Sequence, residues 1–173
     1  MKTLLSSILV IFLFFTNQAF SEQKIVFIDM DRVLSTSKPG SSILKQLTEL
    51  NNKNFKFLKN EEKKFQEKET KLISQKNIIS EADFKNKVNE LKSEIKNYNQ
   101  NRNKMLADFK RLKKDNTNNF LELINPMLIK FLNDKEISFI IQKKYLVIAE
   151  AELDITDEVI KIINTEVKEF MIK

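Results

Sequence analysis

Proton transfer and charge capture in this chain are left to carboxylates and amines: 24 Asp and Glu against 30 Lys and Arg, with no histidine and no cysteine. The commonest general base, the thiol nucleophile and the usual zinc ligands are therefore missing. The single glycine, Gly40, excludes both a phosphate-cradling Walker loop and a G-x-G-x-x-G turn. Carboxylate pairs could still perform acid–base work, yet no pair stands out by spacing among the 24. The sequence points away from an enzyme and implies neither metal nor cofactor. What it does offer is segregated charge. Residues 41–115 hold 19 basic and 11 acidic residues, a net of +8, while the remainder of the chain after residue 21 holds 10 and 13, a net of −3.

The first 21 residues have the form of a cleavable export signal. Lys2 supplies a positive start, Leu4 to Phe15 is mostly apolar, and Ala19-Phe20-Ser21 sets small residues at the −3 and −1 positions for cleavage after Ser21. An apolar run of about 12 residues is short against the roughly 20 that span a bilayer. The product is expected to be a soluble protein outside the cytoplasm. The sequence pI of 9.3 alone would suit nucleic acid, but export and the absence of a recognisable motif argue against that partner. An exported chain without cysteine must be stabilised by packing or by oligomerisation.

The elements that position this charge read as strand, long helix out, long helix back, two strands and a short helix. Lys24 to Asp29 is a compact β-branched and aromatic run, followed by a helical turn or two in which Met30, Val33 and Leu34 face inward. Pro39-Gly40 reads as a break, with Ser41 or Ser42 capping the next helix. In that outgoing helix Leu44, Asn51, Leu58, Phe65 and Leu72 keep a seven-residue register, a thin apolar seam. A second break at "SQKNIIS" precedes Ser80-Glu81-Ala82-Asp83, which has the form of a helix cap. The return helix is better patterned, with Phe84, Val88, Leu91, Ile95, Tyr98, Met105, Phe109 and Leu112 at alternating steps of four and three.

"FLELINPMLIKFL" thickens the apolar pattern from Phe120 to Leu132, with a kink expected near Asn125 from Pro126. Two strands are expected next, Ile137 to Gln142 and Tyr145 to Ala151, joined by a tight hairpin at Lys143-Lys144. The last helix, "LDITDEVIKIIN", is capped by Asp154 or Thr156 and presents Ile155, Val159 and Ile162 or Ile163 on one face. The expected fold class is α+β: a small β body of three strands per chain, residues 22–40 and 116–173, carrying a long antiparallel, coiled-coil-like helical hairpin, residues 41–115. Three strands leave open sheet edges, and so small a body gains by associating through them.

This order of elements, with "KIVFIDMDRVL", "INPMLIKFL" and "ISFIIQKKYLVIAEAELDITDEVIKIIN", resembles the Skp/OmpH family. The resemblance covers essentially the whole chain after the signal. It implies an ATP-independent periplasmic holdase chaperone, a homotrimer whose barrel-like body carries three helical arms around a cavity for unfolded outer-membrane β-barrel proteins. Ile25, Phe27, Ile28, Phe139, Ile141, Leu146 and Ile148 would then build the trimer body. Family members often carry a glycine just before the second strand, where this chain has Lys135-Glu136-Ile137.

On that reading, client contact falls to Phe55, Phe57, Phe65, Leu72, Ile78, Ile79 and Phe84, and the attracting field to Lys59, Lys63, Lys64, Lys68, Lys71, Lys76, Lys85 and Lys87. The plainer alternative makes these apolar residues the seam between the helices and the lysines a solvated face. Phe55 and Phe57, two residues apart on a helix, cannot both face the seam. A structural coiled-coil spacer of the envelope is the rival function, and anionic lipid or lipopolysaccharide is a further partner suited to basic arms.

Overall fold

The computed structural model describes residues 23–168 and 170–172. The expected export signal and cleavage after Ser21 fall outside the described residues. Strand β1 (Ile25–Ile28) leads into helix α1 (Met30–Thr36), whose N-terminus is capped by the Asp29 carboxylate accepting from the Arg32 backbone N–H at 3.0 Å. Helix α2 (Lys38–Gln75) runs out for 38 residues, roughly 57 Å at 1.5 Å per residue. Helix α3 (Glu81–Asp134) returns over 54 residues, passes Pro126 without ending, and re-enters the core. Strand β2 (Phe139–Gln142) and helix α4 (Thr156–Glu166) complete the body.

Three sequence expectations are corrected here. The sheet has two strands, not three, and they are parallel: Ile25 pairs with Phe139 and Ile28 with Gln142. The third strand expected at Tyr145 to Ala151 does not form. Lys143–Tyr145 is a 3-10 turn closed by Leu146 N–H donating to Lys143 C=O at 3.0 Å, not a hairpin. The turn carries the apolar run away from β2, leaving Val147 and Ile148 103% and 91% exposed. Within one chain this β-forming sequence has no ladder to join.

The third correction concerns Pro39-Gly40, which does not break the chain. Both residues lie in the first turn of α2, where a missing N–H costs nothing, and Ser37 is the cap, accepting from Gly40 N–H at 3.3 Å. Ser41 and Ser42 are already helical. Gly40 is required by proximity. A Cβ at this position would stand 2.2 Å from the Leu34 carbonyl oxygen, so the end of α1 lies directly on the start of α2.

The core gathers the inward faces of every element: Val26 and Ile28 of β1, Val33 of α1, Ile43 and Leu47 of α2, Phe120 and Ile124 of α3, and Val159 and Ile163 of α4. β1 is bonded on both sides near Phe27, to β2 on one edge and through Phe27 C=O accepting from Ile155 N–H at 3.0 Å on the other. No strand among the described residues pairs with the outer edge of β2.

The Asp-Ile-Thr-Asp stretch ties the opposite edge of the sheet, at β1, to α1. Asp154 Oδ1 accepts from the Thr156 backbone N–H at 2.9 Å and from its hydroxyl, and the same buried hydroxyl accepts from Asp29 N–H at 2.9 Å. Arg32 closes the network on Asp157 at 2.5 Å. Burial would raise the Asp154 pKa, but the Thr156 hydroxyl and backbone N–H outweigh it, helped by Lys143 and Arg32, and hold it below 3.8.

The turn from α3 into β2 is a Schellman motif: Ile137 N–H donates to Leu132 C=O at 2.9 Å and Glu136 N–H to Asn133 C=O at 3.2 Å. Its left-handed position is filled by Glu136, with φ 53°. Glu136 lies within Lys135-Glu136-Ile137, the stretch where the resemblance led to the expectation of a glycine.

Candidate functional site

The candidate surface is the α2–α3 hairpin. Its tip turns through Ile78 N–H and Ile79 N–H, which donate to Gln75 C=O at 2.9 and 3.2 Å. Ser80 then caps α3, accepting from Asp83 N–H at 3.1 Å and donating to the Asp83 carboxylate at 2.6 Å. The cap anticipated at Ser80 therefore fixes where the return helix begins.

All eight seam residues expected on α3, from Phe84 to Leu112, are half-buried, and Arg102 is exposed. On α2 the seam runs through Leu50, Asn54, Leu58, Glu61, Phe65, Leu72 and Gln75, so Asn51 is exposed and Asn54 takes its place. Near the body α2 turns Ile43 and Leu47 into the core, which displaces the strict seven-residue register there. Midway along the arm Phe65 packs on Tyr98, ring centroids 5.3 Å apart and tilted by 59°. The Tyr98 hydroxyl is directed at Glu62 Oε1, 3.0 Å away, and Leu58 C=O, 3.3 Å away. Partial burial and then the Glu62 carboxylate push its pKa above 10.0. Lys68 pairs across the helices with Glu94, and its Nζ also lies 5.9 Å from the Phe65 ring centre.

The structure divides the apolar residues proposed for client contact. Phe65, Leu72 and Phe84 are half-buried between the helices, and Ile79 is half-buried at the tip. Phe55, Phe57 and Ile78 stand out, 66%, 50% and 79% exposed. Both phenylalanines face away from the seam, where the geometry required only one to do so. Leu58, one position on, takes the seam and rotates the pair outward.

Within the arm, residues 41–115, two exposed apolar residues escaped the sequence reading, Ile73 and Leu106. Each comes directly after a seam residue, Leu72 or Met105, and adjacency to a seam position on a two-helix arm is the signal that would have found them. Near the root the helices part around a cleft of about 740 Å³, lined by Leu50, Met105, Phe109 and Leu112 with Lys104 and Arg111 at its polar side.

All eight lysines expected to supply the field are exposed. Lys64 pairs with Glu61 at 2.6 Å, Lys63 with Glu67 at 3.8 Å, and Lys87 Nζ donates to Gln75 at 3.2 Å. The Nζ groups of Lys59, Lys71, Lys76 and Lys85 make no ion pair among the described residues. No cluster of acidic residues there could hold a metal ion, and no helix there is long and apolar enough to cross a membrane.

Comparison with known proteins agrees with this geometry. Among curated proteins none shows a significant sequence match. Among solved structures, an OmpH-like protein of Caulobacter crescentus CB15, proposed to be an outer-membrane chaperone, superposes with a TM-score of 0.78 over 86% of this chain and 88% of that one. At 13% identity the likeness is one of fold. The family model for outer membrane protein (OmpH-like) matches residues 24–163, which takes in both strands, the whole hairpin and most of α4. This chain belongs to the OmpH-like family.

Proposed function

We propose that this protein is an ATP-independent holdase of the periplasm that shields unfolded outer-membrane β-barrel proteins. The observation that carries the reading is an arm with net charge +8 that leaves Phe55, Phe57, Ile73 and Ile78 exposed instead of closing them into a core. Fully burying one such side chain is worth about 1.5–3 kcal/mol. A client that half-covers four of them gains on the order of 3–6 kcal/mol before ordering costs, a weak and replaceable grip. Release then needs no nucleotide. The basic field extends about 8 Å at physiological ionic strength and recruits clients of negative net charge.

Trimerisation supplies what one chain lacks. Among the described residues the outer edge of β2 is unpaired, and Leu146 and Glu150 hold extended backbone (ψ 138° and 142°) on either side of exposed Val147 and Ile148. Pairing these edges between three copies would form the barrel-like body, with Ile25, Phe139, Ile141, Leu146 and Ile148 at its joints and three arms around a cavity. Phe27 and Ile28 are buried within the single chain and support the body from inside.

Light scattering tests the function. A urea-denatured outer-membrane β-barrel protein diluted into buffer should stay clear at stoichiometric chaperone trimer without ATP. Undiminished aggregation would reject the holdase and leave a structural spacer as the better account.

A further inference from the structure

The family match ends at residue 163, and beyond it Asn164, Phe170 and Ile172 are hydrogen-bonded to the root of the arm. Asn164 Oδ1 accepts from the Lys38 backbone N–H at 2.7 Å, fixing the end of α4 to the first turn of α2. The chain leaves α4 at Val167 with extended backbone (φ −108°, ψ 119°). Phe170 and Ile172 pack against the core while Met171 between them is exposed, the in–out alternation of a strand.

One side chain reads this segment's backbone. Gln46 Nε2 donates to Phe170 C=O at 2.8 Å, and Gln46 Oε1 accepts from Ile172 N–H at 3.3 Å. In an extended chain the C=O of one residue and the N–H two residues on point to the same edge, so the carboxamide substitutes for a neighbouring strand. Ser42 Oγ adds a donor to Phe170 C=O at 3.4 Å and is itself held by Gln46 Nε2 at 3.2 Å. An open groove of about 1140 Å³ lies beside the tail, between α2 and α4.

Recognition through backbone amides is indifferent to side-chain identity beyond the two apolar positions. We propose that the Ser42–Gln46 surface of α2 is a binding site for extended segments with apolar residues at alternate positions, that the chain's own C-terminal tail occupies it, and that such a segment of an unfolded client displaces the tail. The identity of the competitor rests on the holdase reading; the occupancy by the tail does not.

The absence of cysteine gives a clean probe, because Met171→Cys in the full chain carries a nitroxide label at one exposed site. The label's electron paramagnetic resonance spectrum should be restricted, and Gln46→Leu in the same background should make it mobile while circular dichroism stays unchanged. A synthetic peptide of residues 166–173, and an alternating apolar peptide from an outer-membrane β-strand, should each mobilise the label in the parent protein. The 166–173 peptide N-methylated at the amide equivalent to Ile172 should need roughly tenfold more, the cost of one lost hydrogen bond. Three results would each overturn the proposal: a label as restricted with Gln46→Leu as without it, an N-methylated peptide equal to its parent, or a β-strand peptide that displaces nothing. Aggregation suppression measured on the same proteins separates the two readings. Suppression that persists while the label test fails removes this site and leaves the holdase standing.

Discussion

Gly40→Ala tests how tightly the arm is joined to the body. The added methyl carbon would meet the Leu34 carbonyl oxygen at 2.2 Å, Leu34 C at 2.8 Å and Ser37 Oγ at 2.8 Å. Two of these three are backbone atoms of Leu34, which cannot rotate aside as the Ser37 hydroxyl can, and relief needs α1 to move by roughly 1 Å against buried Val33. Overpacking of this kind costs about 1–3 kcal/mol and occasionally more. A gap of about 0.5–1 Å opened elsewhere forfeits a quarter to a half of each contact along it. Against this stands the helix preference of alanine over glycine, about 1 kcal/mol at most in so early a turn. The net expectation is a loss of about 1–2 kcal/mol. With a urea slope of about 1–3 kcal/mol per molar, the unfolding midpoint should fall by roughly 0.5–1 M at fixed protomer concentration. A midpoint unchanged or raised would refute the close approach of α1 and α2.

Three other predictions concern single residues of the body. Asp154 has a folded pKa below its unfolded value, so its contribution to stability is complete above about pH 3.8 and is lost as pH falls through the folded pKa. Asp154→Asn should flatten the acid limb of the stability–pH curve by up to about 1.4 kcal/mol per pH unit in that window, measured by urea titration; an unchanged limb contradicts the assignment. Glu136→Gly should raise stability by about 0.5–1 kcal/mol, because relief of a left-handed non-glycine residue exceeds the added unfolded-state entropy; a thermal midpoint below that of the parent would count against it. If three copies associate as proposed, Ile148→Lys should shift the solution mass from three chains towards one without unfolding the chain, since Ile148 is exposed in the single chain; a mass equal to that of the parent would count against these joints.

The parts legible in the sequence are those whose partners lie within the chain and close in register. The α3 seam, the Ser80 cap and the apolar face of α4 repeat at helical spacing, and each forms where that spacing puts it. Tyr145 to Ala151 misleads because β propensity describes a residue's fitness for a ladder and not the presence of one. Pro39-Gly40 misleads because the pair that breaks a helix also suits its first turn, and only the packing of α1 on Gly40 decides between the two. The outward turn of both Phe55 and Phe57 depends on which neighbour α3 receives, which a seam of one large residue per two turns does not specify. Gln46 carries no signal at all, since a polar residue at an exposed-looking helical position reads the same whether it meets water or a backbone.

The central claim is that the exposed arm residues hold clients. Its most direct measurement compares the parent protein with Phe55→Ser/Phe57→Ser in the aggregation assay, at low and at about 0.5 M salt. Both rings are exposed, so unfolding free energies should differ by no more than about 0.5 kcal/mol. Losing two half-covered rings removes on the order of 1.5–3 kcal/mol of client binding, and the chaperone concentration for half-suppression should rise at least roughly tenfold. Salt should weaken suppression by parent and variant alike, because the lysines act through a screened field. Equal suppression by parent and variant would contradict the account.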